Sequence, residues 1–215
     1  MKQFYQIAAT VVLLLALAGG IKACKVIKEY SYSYSYNDFA KSIEDFDIDR
    51  VEKYLGKGYK ATSETGKDRQ LITFANPATS TGRDIISLLL AQGADINSKY
   101  ILTSTDYLGN TTGTYESSLL YHASEGDIDA VKFLLENKAN PDITINPDNK
   151  TSLMIAARKG EQKVVQLLLD YGADPNMVDI NGCSALNFAY YSRSSVVIEA
   201  LENAGAKEVD HYCQF

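Results

Sequence analysis

The stretch TSLMIAARKGEQKVVQLLLDYGADPN, residues 151–176, decides the fold and has several weaker copies along the chain. It begins with a Thr, which suits the N-terminus of a helix. Gly160 then allows a sharp turn. A second segment follows with Val and Leu at helical spacing. Gly172 stands where a left-handed helix C-cap is expected. The stretch therefore predicts a pair of short helices that ends in a turn at Gly172.

Equivalent residues recur along the chain with a period of about 33 residues. The leucines of the first helix repeat in this way, and so do the alanines that follow each second helix. The leucines are Leu119, Leu153 and Leu186, and the alanines are Ala139, Ala173 and Ala206. Two landmarks with one period indicate a repeat architecture. In such proteins each unit buries its apolar face against its neighbours.

These features resemble the ankyrin-repeat family. Residues 151–176 follow the family pattern T-P-L-H-x-A-A-x-x-G…V-x-L-L-L-x-x-G-A-D-x-N, and DINGCSALNFA, residues 179–189, follows D-x-x-G-x-T-P-L. The Pro and His of T-P-L-H are missing, which we expect to lower stability. The resemblance implies an all-α solenoid of stacked helix pairs over residues 37–208, with about five units. A C-terminal tail, residues 209–215, follows.

The connection between the second and third units is longer than the others. Its sequence is SKYILTSTDYLGNTTGTYES, residues 98–117, with Gly109-Asn110 in the middle. Alternating Tyr, Thr, Leu and Ile around such a pair are typical of a β-hairpin. We therefore expect an extended β-hairpin insertion over residues 98–116.

The N-terminus contains an apolar run, IAATVVLLLALAGG, residues 7–20. The run has the length of a signal-peptide core and is shorter than a membrane-spanning helix. Residues 16–18 fit a cleavage site, whereas residues 21–24 resemble a bacterial lipobox in which Cys24 is lipidated. Lys22 departs from that lipobox pattern. An uncleaved anchor with the repeats on the cytoplasmic side is the third alternative, because three lysines follow the run.

We expect residues 1–23 to be a signal peptide or membrane anchor, and residues 24–36 to be a Tyr/Ser-rich tether. The favoured location is the bacterial envelope on the periplasmic side, with membrane association through lipid on Cys24 or through the anchor. The formal net charge of −6 argues against non-specific binding to nucleic acid.

The sequence contains no recognisable catalytic motif, so we predict no enzyme, no cofactor and no metal site. His122 lies in a first helix, where a part-buried contact between units is expected. His211 and Cys213 are two ligands in the tail, which do not make a metal site. Cys183 and Cys213 would form a disulfide in an exported protein if their geometry allows it.

The resemblance implies that partner proteins bind in a groove made by the turn tips and the first helices. We predict a monomer that binds an unidentified protein partner there and through the hairpin. As a finer hypothesis, it acts as an inhibitor or immunity protein. The alternatives are a metal-binding or redox envelope protein using His211, Cys213 and Cys183, or a cytoplasm-facing membrane-anchored scaffold. The predicted partner-binding residues are Tyr100, Tyr107, Leu108, Glu116, Asp148, Lys150, Arg158, Lys159, Asn181 and Tyr191.

Overall fold

The computed structural model describes residues 38–59, 72, 75–105, 111–144 and 148–208, with the backbone alone for 99–105 and 111–116. The chain divides into two compact units after Tyr59. The predicted leader, tether and C-terminal tail lie outside the described residues, as does Cys24. Within the described part, no helix is long and apolar enough to cross a membrane.

The described residues of the first compact unit, 38–59, form one helix pair. Helix α1 covers residues 38–44 and α2 covers Ile48–Gly56. The carboxylate of Asp47 accepts a hydrogen bond from the backbone N–H of Arg50 at 3.0 Å, which caps the start of α2. Phe39 is fully buried and contacts the rings of Tyr54 and Tyr59, with centroid distances of 5.4 and 6.0 Å. This aromatic cluster holds the two short helices together.

The second compact unit contains the remaining elements, in an order that repeats helix pairs. They are α3 (Ser80–Ala91), β1 (Lys99–Thr105), β2 (Thr111–Ser117), α4 (Ser118–Glu125), α5 (Ile128–Glu136), α6 (Ser152–Lys159), α7 (Gln162–Asp170), α8 (Ala185–Ser192) and α9 (Ser195–Asn203).

The first helices α4, α6 and α8 pack side by side, and so do the second helices α5, α7 and α9. A continuous apolar core runs between the two rows from Leu119 to Leu201. Ala156 and Ala157 of α6 are fully buried. Their small side chains allow the neighbouring first helices to approach closely. The helical, stacked architecture that the sequence predicts is therefore confirmed for these units.

The first helices begin at capping residues whose side chains replace the missing backbone acceptors. The hydroxyl oxygen of Ser117 accepts from the N–H of Leu120 at 3.1 Å. In α8 the side chain of Asn187 accepts from both the N–H and the hydroxyl of Ser184, each at 2.9 Å. Asn187 stands where the family pattern has His, so this unit makes side-chain hydrogen bonds at the position whose missing His we expected to lower stability.

One type of helix end recurs five times in the described part of the chain. A residue in the left-handed conformation donates its N–H to the carbonyl three residues earlier at 2.9 Å, and the next N–H bonds the carbonyl five residues earlier. These left-handed residues are Gly58, Gly93, Lys138, Gly172 and Gly205. Lys138 adopts this conformation with φ 67° although it is not glycine.

The Asp and Asn that follow each helix end have separate roles. Asp174 accepts from the N–H of Asn176 at 2.9 Å and so closes its own turn. We call the turn that follows each second helix a joint. The side chain of Asn176 accepts a hydrogen bond from the N–H of Lys207, which lies in the next joint, at 2.9 Å. Asn97 and Asp142 make the same link forward, to Asn140 at 2.7 Å and to Asp174 at 2.9 Å. The joints therefore form a polar ladder parallel to the apolar core.

Between α3 and α4, the backbone of β1 pairs antiparallel with β2. The register runs from Lys99 opposite Ser117 to Thr105 opposite Thr111. Residues 106–110, which join the two strands along the chain, lie outside the described residues. Because Ser117 also caps α4, the pairing leads directly into that helix.

Candidate partner-binding surface

The turn that opens the fifth unit is organised by a buried carboxylate. One carboxylate oxygen of Asp179 accepts from the N–H groups of Asn181 and Cys183, each at 2.9 Å. The N–H of Asp179 donates to the carbonyl of Cys183 at 3.0 Å. Because these bonds close the turn from inside, Ile180 and Asn181 remain exposed at its tip, and 59% of Ile180 is accessible to solvent.

The preceding turn tip lies next to this one. The N–H of Ile180 donates to the carbonyl of Asp148 at 3.1 Å. Asn149 adopts φ 55°, which Asn tolerates better than most residues. Lys150 is half-buried and donates to the carboxylate of Asp148 at 2.8 Å. Neighbouring tips therefore form one continuous edge that presents a backbone-fixed Ile180 beside an ion pair.

The C-terminal ends of the first helices form the second part of the surface. The guanidinium of Arg158 in α6 lies over the ring of Tyr191 in α8, 5.8 Å from its centroid. Lys159 donates to the carbonyl of Ser124 and lies 3.8 Å from the carboxylate of Glu125, both in α4. Each first helix is thus linked to its neighbour by a cationic side chain.

Six of the predicted partner-binding residues fall on this edge and these helix ends. Five are exposed and Lys150 is half-buried. The six are Asp148, Lys150, Arg158, Lys159, Asn181 and Tyr191. The structure brings Arg158 to Tyr191 and Lys150 to Asp148. Tyr107 and Leu108 lie outside the described residues, and nothing is described of the side chains of Tyr100 and Glu116.

Sequence reasoning missed Ile180. The signal for it was an apolar residue at the second position of the D-x-x-G turn, where a polar residue is the ordinary choice. Tyr191 is 54% exposed, and together with Ile180 it gives the surface an apolar component between charged groups. Aromatic and arginine side chains in such a setting are typical of interface hot spots.

His122 lies in the interior rather than on this surface, with 8% of it accessible. Its Nδ1 is 3.6 Å from a carboxylate oxygen of Asp127. Burial lowers the pKa of His122, because it penalises the charged imidazolium more than the Asp127 carboxylate favours it. Among the residues that the structure describes, no cluster of three or more potential metal ligands occurs.

Cys183, beside the exposed tip, is 1% accessible. It is disulfide-bonded, and the other half of the bridge lies outside the described residues. The predicted pairing of Cys183 with Cys213 stays a prediction, because Cys213 lies outside the described residues.

A family profile described as ankyrin repeats (3 copies) matches residues 78–179 and 119–211, which together make up more than half of the chain. The chain is also similar to a putative ankyrin repeat-containing protein of Treponema pallidum, at 25% identity over 75% of this chain and 49% of that protein. It is 38% identical to the glycerophosphocholine phosphodiesterase GDE1 of Candida albicans over 76% of this chain and 14% of that protein.

A third relative is the phosphocholine transferase AnkX of Legionella pneumophila, 30% identical over 51% of this chain and 13% of that protein. The chain thus spans about half of the Treponema protein and a small part of the two enzymes.

Proposed function

Because the chain belongs to the ankyrin-repeat family, we propose that it is a non-catalytic module that binds a partner protein. The binding surface consists of the turn tips of the fourth and fifth units and the ends of α4, α6 and α8. Ankyrin repeats are general protein-interaction modules, and the matches to the two similar enzymes cover 14% and 13% of those proteins.

The observation that carries this proposal is the contact between Arg158 and Tyr191, together with the exposure of Ile180 at the turn tip of the unit that contains Tyr191. Stacking on the guanidinium restricts the ring of Tyr191 before any partner arrives, so less side-chain entropy is lost on binding. Ile180 is fixed by its backbone bond to the neighbouring tip and adds apolar surface. A partner that covers these side chains removes apolar area from water at a small ordering cost.

Export to a bacterial envelope is the favoured location. A structural disulfide persists in oxidising compartments and is rare in the cytosol, so the oxidised Cys183 supports an exported protein. The apolar run at residues 7–20 and Cys24 supply the signal and the lipid attachment in this proposal. A cytoplasm-facing anchored scaffold would instead keep Cys183 reduced.

The finer proposal adds the 98–116 hairpin to the surface and makes the protein an inhibitor or immunity protein of an envelope enzyme. In support, β2 leads into α4 at Ser117, which places the strand pair next to the first helices. A metal-binding alternative requires Cys183 as a thiolate, and a disulfide-bonded sulfur does not serve as that ligand. Elemental analysis of the purified protein separates the two, since stoichiometric zinc or copper would favour the alternative.

Site-specific photo-crosslinking in living cells tests the binding surface. A photoreactive residue at position 180 or 191 should give the same cross-linked protein, whereas one at position 171 should not. Tyr171 is a matched control because it is 40% exposed at the end of α7, away from the turn tips. Arg158→Glu should abolish the cross-link from position 191, and Lys163→Glu on α7 should leave it. Equal cross-linking from positions 171 and 191 would contradict the proposed surface.

A further inference from the structure

The turn between α8 and α9 contains an arginine where the equivalent turns contain glycine. Arg193 ends α8 in the left-handed conformation, with φ 55° and ψ 28°. Gly126 and Gly160 end α4 and α6 in the same way, with φ 70° and ψ 20° and with φ 73° and ψ 23°. A side chain in this conformation has a free-energy cost that glycine does not have. Helix capping alone therefore favours glycine at position 193, and a strained residue of this kind suggests a function.

Two contacts place the turn of Arg193 beside the end of α6. The hydroxyl of Ser192 donates a hydrogen bond to the carbonyl of Ala157 at 2.9 Å. A Cβ atom added to Gly160 would lie 3.6 Å from the Cβ of Ser194. The ends of α6 and α8 are therefore in contact immediately before and immediately after Arg193 in the chain.

The end of α6 carries two further cations. Arg158 and Lys159 are exposed there, and Arg193 is exposed at the end of α8. Lys159 lies 3.8 Å from the carboxylate of Glu125 in α4. The guanidinium of Arg158 lies over the ring of Tyr191, and neither Arg158 nor Arg193 forms an ion pair within the described part of the chain. Two exposed guanidinium groups thus lack a carboxylate partner there, in a protein whose formal net charge is −6.

The end of α4, at the other side of α6, is acidic. Glu125 is the last residue of α4, and Asp127 caps the start of α5. The carboxylate oxygens of Glu161 lie 2.9 and 3.2 Å from the position that a Cβ of Gly126 would occupy. The row of first-helix ends therefore changes from acidic at α4 to basic at α8. A membrane of anionic lipids would repel the acidic end of this row, whereas an acidic protein segment can cover the basic end alone.

We propose that the partner protein presents an acidic segment to Arg158 and Arg193, and that Arg193 is a binding residue as well as a helix cap. This inference rests on the proposed function, because it names the kind of partner that the same surface binds. A guanidinium group suits this role, since its planar fork can donate two parallel hydrogen bonds to one carboxylate. The ring of Tyr191 lies beside the fork of Arg158 and adds an aromatic contact at the edge of the site.

A labelled oligoglutamate peptide tests the charge preference, with its binding to the purified full-length protein followed by fluorescence anisotropy at low salt. Arg193→Gly should weaken binding roughly two- to fivefold, as expected for one exposed ion pair. Adding Arg158→Gln should bring the loss to about tenfold. Lys163→Gln on α7 removes the same charge elsewhere and should leave binding unchanged. Arg193→Gly should also melt no lower than the parent, because glycine suits the left-handed conformation, so its weaker binding would not reflect unfolding.

Three results would overturn the proposal. The first is equal binding of the peptide by the parent and by Arg193→Gly. The second is binding to phosphatidylglycerol vesicles without binding to the peptide, which would indicate a membrane surface. The third is self-association that Arg193→Gly abolishes, which would make a second copy of the chain the occupant.

The photo-crosslink from position 191 separates this proposal from the proposed function. The cross-linked segment of the partner should be rich in Asp and Glu, and Arg193→Gly should weaken the cross-link. If the cross-link forms on a segment that is not acidic, the acidic partner is wrong although the binding surface stands. If the peptide binds as expected but no cross-link forms at positions 180 and 191, the proposed function fails and the preference of the two arginines for acidic segments remains.

Discussion

Replacing Lys138 by Gly should stabilise the protein. Lys138 is in the left-handed conformation at the end of α5, where the same cap elsewhere uses glycine. A side chain costs about 1–2 kcal/mol in that conformation. Glycine returns about 0.5–1 kcal/mol of this through the greater freedom of the unfolded chain. We therefore expect a net gain of about 0.5–1 kcal/mol, or roughly 1–4 °C in melting temperature.

Two control variants separate backbone strain from charge. Lys138→Ala keeps the Cβ atom and removes the ammonium group, which interacts favourably with the C-terminal end of the helix. It should be neutral or slightly less stable than the parent. Gly172→Ala is the reciprocal change at an equivalent cap with φ 85°, and a Cβ added there meets no atom within 4 Å. Its loss of stability would therefore report the backbone cost alone.

The assay is equilibrium unfolding in urea, followed by circular dichroism with melting curves as a second measure. The reasoning is refuted if Lys138→Gly is no more stable than Lys138→Ala, or if Gly172→Ala unfolds at the same urea concentration as the parent. Either result would mean that the left-handed cap carries no conformational cost in this fold.

Two further predictions concern buried positions. Gly82→Ala should lower the free energy of unfolding by about 3 kcal/mol or more, because the added Cβ would lie 1.9 Å from the carbonyl oxygen of Asn76. Gly56→Ala is the control: a Cβ there has open space around it, so this variant should not be destabilised in the same urea titration. The protein should lose stability as the pH falls below 6.5, the ordinary pKa of His122. Below that pH the imidazole binds a proton in the unfolded chain, whereas burial disfavours the protonated form in the folded protein. His122→Gln should remove this loss in urea titrations at pH 7.5 and 5.5, and an unchanged difference would mean that other titratable groups cause it.

The repeated helix pairs are predictable because their signals are local. A capping hydroxyl, a glycine and leucines at helical spacing act within a few residues of one another, and the period then multiplies the evidence. The strained cap at Lys138 could be predicted in the same way, since it occupies the position that holds Gly172 in the next unit.

The details of the surface were harder to predict from the sequence, because they depend on how neighbouring units align. Arg158 and Tyr191 are far apart in sequence, and their contact follows from the register between α6 and α8. The capping role of Asn187 was hidden because the family pattern has another residue type there. The exposure of Ile180 depends on the buried carboxylate of Asp179, which closes the turn from within.

The polar ladder shows how side chains of similar shape couple adjacent units differently. Asn176 both accepts from Lys207 and donates to Gly205, because an amide has both functions. Asp142 makes the corresponding link to Asp174 with a carboxylate, which only accepts when ionised. Burial raises the pKa of Asp142, and the charge of Asp174 acts in the same direction, although the backbone bond opposes them.

The link between the third and fourth units is therefore made by the partly desolvated carboxylate of Asp142, which lies near the like charge of Asp174. The next link is made by the neutral amide of Asn176, which forms two hydrogen bonds. The second helices α5 and α7 of these units also pack together, and their Val131, Leu134, Val165 and Leu168 are nearly or completely buried. Apolar burial supplies most of the free energy but has little directionality, whereas directed hydrogen bonds fix the alignment of neighbouring turns. The tips that carry the proposed binding surface are positioned by this second kind of interaction, through the carboxylate of Asp179 and the backbone bond from Ile180 to Asp148.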